Sequence, residues 1–268
     1  KNSFWVSSAL KTQKKLMFSL LRSAKNTRFG RDHNFDKIYS YDDFKRSVPI
    51  QTYEGFRPYI KRIISGEKDV LWPGTPIYLC KTSGTTSGIK FIPISKESIH
   101  HHIRGARDSI FSYVAETKNT DVLSGKMIFI QGSPSLEKTG EILTGRLSGI
   151  VAHHVPFYFL KNRLPSFETN CIDDWEKKID AIVEETLSQK MSIIGGIPPW
   201  VQMYFEKIIE KTGERIGEVF PFFNLFIYGG VNYKPYKKVF EDLVGKQIDG
   251  VELYPASEGF LAYQNSRK

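Results

Sequence analysis

Short apolar segments that end in glycine, serine or proline alternate with helical patterns along most of this chain, and this alternation constrains the fold more than any other feature. Strands are predicted at residues 77–81, 126–130, 191–194, 223–228 and 251–254. Helices are predicted at 41–46, at 53–64, at 95–115, after Asp173 or Asp174, and from Pro198-Pro199 onward. Strands of four to six residues between helices of ten to fifteen indicate an α/β fold with mixed, mostly parallel sheets flanked by helices.

The loops after these strands are the predicted ligand-binding positions, because open α/β sheets bind ligands beyond the carboxyl ends of their strands. The loops in question are 82–90, 131–135, 195–199, 229–233 and 255–259. The first 70 residues lack the alternation and are predicted to form a helical lead-in. The α/β region that binds ligands is then expected to occupy residues 71–268.

Composition narrows the classes of function. The net charge of +9 could suit nucleic acid, but the basic residues are dispersed and form no stripe with interleaved aromatic residues. No apolar run approaches the roughly 20 residues of a membrane-spanning helix. The two cysteines, Cys80 and Cys171, have no disulfide-framework or metal-ligand spacing, which favours a reducing compartment. We therefore expect a cytoplasmic protein with no nucleic-acid or membrane partner.

The loop at 82–90 carries the strongest chemical signal. In order, its residues are Thr82, Ser83, Gly84, Thr85, Thr86, Ser87, Gly88, Ile89 and Lys90. Glycines let the backbone approach an anion, backbone N–H groups and hydroxyls donate to phosphate oxygens, and lysine adds a positive charge. The spacing differs from the Walker A loop, which needs one more residue between its glycines and a lysine directly after the second. A phosphate cradle of another kind is predicted, against the alternative of an ordinary surface loop.

A second string, from Gly250 to Gly259, follows the last predicted strand and contains Tyr254, Ala256, Ser257 and Glu258. Together with the loop at 82–90, it resembles the signatures of the Gretchen Hagen 3 family of adenylate-forming enzymes, the auxin-responsive acyl-acid amido synthetases. Further stretches agree with that family in order along the chain: residues 71–74, 132–134, 145–149 and 195–200. The resemblance covers the chain from about Lys25 onward.

The resemblance implies the large-domain fold of acyl-activating enzymes and an ATP-dependent ligase. A carboxylic acid would be activated as its acyl-adenylate and then joined to an amino acid, with ATP and Mg²⁺ as cofactors. Lys90 and Glu258 would be catalytic, and Glu258 would bind the metal ion. Nucleotide contacts are implied for Thr82 to Gly88, Gly229, Gly230, Tyr254, Ala256, Ser257 and Gly259. Substrate contacts are implied for Arg104, Arg107, Pro198 and Trp200.

One expected feature of the family is missing from the chain. Its third signature, an aromatic-Arg-x-Gly-Asp string whose Asp binds the ribose, does not follow Gly259. We therefore expect residues 1–268 to be a partial N-terminal adenylation domain without the small C-terminal domain, and we expect the fragment alone to be inactive.

Two other functions stay open at this stage. A coenzyme A ligase would use the same adenylating scaffold and differ only in the acceptor of the second step. A non-catalytic module that binds nucleotide or nucleic acid would account for the net charge, and would be insensitive to the loss of Lys90.

Overall fold

The computed structural model describes residues 7–82 and 88–266. Its helices are α1 (Ala9–Ala24), α2 (Arg28–Asp32), α3 (Tyr41–Ser47), α4 (Tyr53–Ile64), α5 (Lys96–Thr117), α6 (Leu147–Ala152), α7 (Phe157–Leu160), α8 (Phe167–Asn170), α9 (Trp175–Thr186), α10 (Pro198–Thr212), α11 (Ile216–Val219) and α12 (Lys237–Val244). Its strands are β1 (Tyr78–Thr82), β2 (Lys90–Ile94), β3 (Lys126–Ile130), β4 (Glu137–Thr139), β5 (Ile142–Gly145), β6 (Arg163–Leu164), β7 (Met191–Gly196), β8 (Leu225–Gly229), β9 (Asp249–Ala256) and β10 (Gly259–Tyr263).

The chain divides into two compact units. The first contains the residues up to Ser95 together with Lys138–Thr144, and the second contains Lys96–Glu137 and the residues from Gly145 onward. No helix in the described ranges is both long and apolar enough to cross a membrane.

The first unit joins the predicted N-terminal helices to a four-stranded sheet of order β2-β1-β5-β4. Buried side chains of α4 pack against the sheet in one core that includes Ile60, Ile63, Leu79 and Ile142. Strand β2, which contains Pro93, was not predicted. The structure places β2 at the edge of the sheet, antiparallel to β1. Proline is tolerated in an edge strand because one side of that strand has no neighbour that needs its N–H.

The second unit confirms the α/β fold class. Its six-stranded sheet has the order β10-β9-β8-β7-β3-β6, and the strands from β9 to β6 run parallel to their neighbours. Helix α9 begins after Asp174, whose side chain accepts a hydrogen bond from the Lys177 N–H. Helix α10 begins at Pro198, because proline needs no N–H in the first helical turn.

Helices cover both faces of this sheet, and its central strands β3, β7 and β8 are mostly apolar. Ile193 and Ile194 are adjacent on β7 and fully buried, yet they belong to separate core clusters. Side chains alternate between the two faces of a strand, so Ile194 packs with Phe205 of α10 and Ile193 with Ile110 of α5. The two cores fix the sheet from both sides and hold its carboxyl ends in place.

The C-terminal string is not the loop that the sequence predicted at 255–259. Strand β9 continues to Ala256, and the two-residue turn Ser257-Glu258 leads into β10, which pairs antiparallel with β9. The prediction ended the strand at Tyr254 because proline follows it. Pro255 is compatible with the strand because the pairing of β9 with β8 ends at Leu253, so no ladder donor is needed there on that side.

Candidate functional site

The candidate phosphate loop connects the two strands of a hairpin. Thr82 ends β1 and is paired with Lys90, which begins β2, so both ends of the loop are fixed by the sheet. Ser83, Gly84, Thr85, Thr86 and Ser87 lie outside the described residues. Gly88 has a φ of +79°, a backbone conformation that side chains other than glycine rarely adopt.

Lys90 is positioned by Tyr53 of α4. Its Nζ atom lies 5.6 Å from the centroid of the Tyr53 ring, and the neighbouring Phe91 N–H donates a hydrogen bond of 2.8 Å to the Tyr53 hydroxyl. The ring attracts the ammonium group and leaves its N–H donors available to an anion. The Lys90 ammonium group is therefore held near the Tyr53 ring, at the end of the loop that leads into β2.

In the second unit, a groove of about 520 Å³ lies beside the carboxyl ends of β8 and β9. It brings together two of the sequence-predicted residues, Gly230 and Tyr254, with Tyr263 of β10 on the same wall. The Tyr254 side chain is 61% exposed, which is unusual for a large aromatic residue. An exposed aromatic ring beside a glycine backbone offers a flat base both a stacking surface and close approach.

Glycine is required at this end of β8. A Cβ atom added to Gly229 would lie 2.4 Å from the Leu253 carbonyl oxygen of the paired strand, and Gly230 has a φ of +84°. These two residues were predicted as nucleotide-binding because the segment resembles the adenine-facing turn of adenylate-forming enzymes. The structure adds that Gly229 lets β8 and β9 approach each other, and that Gly230 adopts a backbone conformation that favours glycine.

Four predicted residues form the turn between β9 and β10. Ala256 is paired with Gly259, and Ser257 and Glu258 lie between them. Glu258 is exposed. Within the described residues, no group of three His, Cys, Asp or Glu side chains could hold a metal ion. One exposed carboxylate nevertheless fits Mg²⁺, which is commonly bound by one or two carboxylates together with substrate phosphates.

A second cavity in the same unit is small and largely apolar. It encloses about 160 Å³ between α5, β3, α6 and residues 155–159. Arg107 lines it and is paired with its neighbour Asp108 at 2.7 Å. Arg104, the other predicted arginine, is exposed and does not line the cavity. The structure therefore separates two candidates that the sequence could not distinguish.

Pro198 and Trp200 do not line this cavity either. Pro198 is buried at the start of α10, and the Trp200 ring lies 4.8 Å from the Trp175 ring of α9. Trp200 packs at the margin of the core shared by α9 and α10. Their contact with the acid stays a prediction.

Two polar residues of the cavity were missed by sequence reasoning, namely Gln131 and Arg163. Gln131 follows β3 directly and falls in the loop 131–135 that the strand pattern marked as a ligand position, so a signal for it existed. Arg163 begins β6, a strand of two residues that leaves no periodicity in the sequence. Only the pairing of β6 with β3 brings Arg163 to the cavity.

A buried lysine fixes the carboxyl end of β3. Lys178 of α9 is 2% exposed, and its Nζ atom donates hydrogen bonds to the carbonyl oxygens of Asn170 at 2.6 Å and Gln131 at 3.1 Å. Burial lowers the pKa of Lys178. The two carbonyl acceptors offset part of the cost of burying this cation, and they hold Gln131 in place.

Comparison with known proteins found a family whose sequence model matches much of this chain. The sequence model of the GH3 family N-terminal domain matches residues 5–173. A jasmonoyl–L-amino acid synthetase, JAR4 of Nicotiana attenuata, is 30% identical over 131 residues, which cover 48% of this chain and 22% of that protein. An indole-3-acetic acid-amido synthetase of Arabidopsis thaliana, GH3.15, is 43% identical over 63 residues, or 23% of this chain and 11% of that protein.

Solved structures agree on the fold. The AtGH3.15 acyl acid amido synthetase in complex with 2,4-DB superposes with a TM-score of 0.76 at 16% identity, covering 96% of this chain and 55% of that one. A 2-hydroxyisobutyryl-CoA ligase in complex with 2-HIB-AMP and CoA superposes with a TM-score of 0.50 at 13% identity, covering 90% of this chain and 52% of that one. The chain thus spans about half the length of these structures, and its fold is that of adenylate-forming enzymes.

Proposed function

Because this chain belongs to the GH3 family, we propose that it is part of an enzyme that activates a carboxylic acid with ATP and then joins the acid to an amino acid. The observation that carries the proposal is the pair of cavities in the second unit. One groove offers Gly230 and Tyr254 to a flat base, and a separate apolar cavity with arginine in its wall suits an organic acid. The relatives named above act on acids and amino acids, which supports both substrates.

On the nucleotide side, we assign adenine stacking to Tyr254, with backbone contacts from Gly229, Gly230 and the turn residues Ala256, Ser257 and Gly259. We assign phosphate binding to Lys90 and to the hydroxyls and N–H groups of residues 82–88. Glu258 would hold Mg²⁺, which supplies charge neutralisation at the phosphates. The AMP derivative in the solved CoA ligase complex is consistent with ATP as the nucleotide.

The reaction needs no nucleophilic side chain. A carboxylate oxygen of the acid attacks the α-phosphorus of ATP, the bond between the α-phosphorus and the bridging oxygen breaks, and pyrophosphate leaves. The amino group of the amino acid then attacks the acyl carbon, and AMP leaves with the bonding electron pair while the amine loses a proton. Both substrates of the first step are anions, so the contribution of Lys90 and the backbone N–H groups is electrostatic stabilisation and positioning.

On the acid side, we assign the apolar cavity to the body of the acid and Arg107 to its recognition. The predicted contacts of Arg104, Pro198 and Trp200 would have to be made outside this cavity. We assign no nucleic-acid or membrane partner, and we keep the cytoplasmic location.

The test is pyrophosphate release by the complete protein with ATP, Mg²⁺ and a panel of carboxylic acids, with and without amino acids. We expect acid-dependent release, and an amide product when amino acid is present. A thioester formed with coenzyme A instead would show that the acceptor has been misassigned. No release with any acid would contradict the adenylation step itself.

One pair of variants connects this assay to the structure. Lys90→Ala is expected to lower pyrophosphate release by about tenfold to a thousandfold, because it removes a charge aimed at the phosphates. Lys61→Ala is the matched control, since Lys61 is an exposed lysine on α4. Equal activity of the two variants would argue against phosphate binding by Lys90.

A further inference from the structure

The lining of the apolar cavity in the second unit includes hydrogen-bond donors that the described residues satisfy only in part. Its polar lining consists of Arg107, Gln131 and Arg163, and the rest of its wall is aliphatic or aromatic. Guanidinium groups can only donate hydrogen bonds, and the free part of Gln131 is its amide nitrogen. A ligand that fills this cavity must therefore bring oxygen acceptors into an apolar environment.

Of the two arginines in the lining, Arg163 has fewer hydrogen-bond acceptors than Arg107 among the described residues. It is half-buried, and burial lowers its pKa. Its one hydrogen bond to the described residues runs from Nη1 to the Ala152 carbonyl oxygen at 3.0 Å, and no described carboxylate is paired with it. Arg107, by contrast, has Asp108 as a partner. A buried cation without an anion is unfavourable, and a ligand oxygen would relieve that cost.

Gln131 is held in position with its own donor unused. The Nε2 atom is buried and has no hydrogen-bond partner among the described residues. Its carbonyl oxygen accepts from the buried Lys178, so the backbone at this point is fixed. A buried amide nitrogen without a partner costs free energy unless a ligand accepts from it.

The two residues lie at different positions along β3. Arg163 is paired with Met127, near the start of β3, whereas Gln131 follows the carboxyl end of that strand. Gln131 is four positions after Met127, so the two backbone positions are about 13 Å apart along the strand. Gln131 is at the end of the sheet where such folds bind ligands. Arg163 is paired near the opposite, amino end of β3. It lies on the edge strand β6, which is three strands away from β8.

We propose that Arg163 binds a second oxygen acceptor of the acid, remote from the carboxylate that reacts. The proposal rests on the assignment of this cavity to the acid. The reacting carboxylate lies toward Gln131, and a carbonyl or carboxylate oxygen at the other end of the acid meets the guanidinium of Arg163. The enzyme accordingly selects oxo acids or dicarboxylic acids over acids with a plain hydrocarbon end.

The volume of the cavity limits the acid that connects these two groups. A cavity of about 160 Å³ is close to the size of an apolar cavity that holds one benzene ring. The body of the acid is therefore one six-membered ring or an aliphatic chain of similar volume. A two-ring acid would extend beyond the cavity.

The test compares three acids of equal chain length with the complete protein: hexanoate, 5-oxohexanoate and adipate. Pyrophosphate release is measured for each, and binding of each acid without ATP is measured by calorimetry. We expect kcat/KM and affinity for 5-oxohexanoate, adipate or both to exceed those for hexanoate by about tenfold or more, the value of one charge-assisted hydrogen bond. Preference for adipate would identify an anionic acceptor, and preference for 5-oxohexanoate a neutral one.

Arg163→Met removes the guanidinium and keeps an unbranched side chain, so the ratio of kcat/KM for the oxygenated acids to kcat/KM for hexanoate should fall to about one. Arg163→Lys should retain part of the preference for adipate. Arg22→Met is the matched control, because Arg22 is an exposed arginine on α1. The wild-type comparison needs no variant, so it decides the matter even if Arg163→Met does not fold.

The outcomes separate this proposal from the proposed function. Pyrophosphate release with hexanoate at an efficiency equal to or above that of both oxygenated acids would overturn the role of Arg163 and leave adenylation intact. No release with any acid, together with tighter binding of adipate or 5-oxohexanoate than of hexanoate, would overturn adenylation and keep the acceptor site. Equal binding of all three acids would overturn the acceptor site in either case.

Discussion

At the scale of single residues, the predicted site contains two kinds of residue. Some present a functional group to a ligand, and others are small because the backbone around them is closely packed. Lys90, Tyr254 and Glu258 present a charge, a ring and a carboxylate, and all three keep at least part of their side chain accessible to a ligand. Gly229 has a different task, because its missing Cβ allows the Leu253 carbonyl to approach. The sequence analysis predicted ligand contacts for all of these residues, because a motif does not show which of its residues touch the ligand.

This division gives a prediction for two glycines of the same candidate site. Gly229→Ala is expected to destabilise the second unit by about 2 kcal/mol, within the range of steric clashes in a packed sheet, because the new Cβ would lie 2.4 Å from a backbone oxygen. Gly259→Ala should cost less than about 1 kcal/mol, since nothing lies within 4 Å of its Cβ position. Thermal unfolding of both variants checks this, and equal melting temperatures would contradict it.

At the scale of elements, helix α5 is hydrogen-bonded to β9, the strand that contains Tyr254. The Tyr113 hydroxyl of α5 donates a hydrogen bond of 2.7 Å to Oδ2 of Asp249, the first residue of β9. Burial, and then this bond to a carboxylate, raise the pKa of Tyr113 to about 12. The same helix contributes Arg107 to the apolar cavity, so within the second unit this contact connects that cavity with the strand that lines the groove.

The contact predicts an alkaline loss of stability. The folded-state pKa of Tyr113 is above the ordinary value of about 10, so its contribution is complete below pH 10 and is lost as the pH rises toward 12. Wild-type protein should lose stability across this window, and between pH 9 and pH 11 Tyr113→Phe should lose about 1 kcal/mol less. Urea unfolding at pH 9, 10 and 11 measures both slopes.

The control for this experiment is Tyr39→Phe, because the Tyr39 side chain is 78% exposed. Its alkaline loss should match that of the wild type. If Tyr113→Phe had the same slope as these two proteins, the buried phenol would not be the group that titrates.

At the scale of the whole molecule, the two units rely on separate cores. The larger core, in the second unit, is formed by side chains from β3, β7, β8 and helices α9 to α12. Phe205 is fully buried in it, between the rings of Phe223 and Phe240 at 6.0 and 5.3 Å. The grooves at the carboxyl ends of the strands depend on this core, since it sets the spacing of β7 and β8 from α10.

Truncating this core should therefore unfold the site and its unit together. Phe205→Ala is expected to cost about 3 to 5 kcal/mol, because a cavity remains where the ring was. Phe157→Ala, on a side chain that is 84% exposed, should cost less than about 0.5 kcal/mol. Hydrogen exchange of the β7 and β8 amides gives both values, and slow exchange retained in Phe205→Ala would contradict the assignment.

Sequence by itself determined the helical start, the α/β alternation, the family and the residues of the two signatures. It could do so because glycine, proline, hydroxyl residues and apolar periodicity act locally, and local chemistry is visible in the order of residues. Strand β3 and helix α4 have the bounds that their apolar patterns predicted. The prediction failed at two strands that contain proline, since β2 was missed and β9 was ended too early, because strand pairing is not local.

The tertiary structure alone decided which of these residues share a cavity. It brought Arg107 but not Arg104 to the apolar cavity, and it placed Arg163 there through a two-residue strand that has no pattern in the sequence. The physical reason is that burial and partners are properties of contacts between distant segments. An arginine looks the same in the sequence whether a carboxylate is beside it or not, and only the fold shows that Arg163 has no described carboxylate partner.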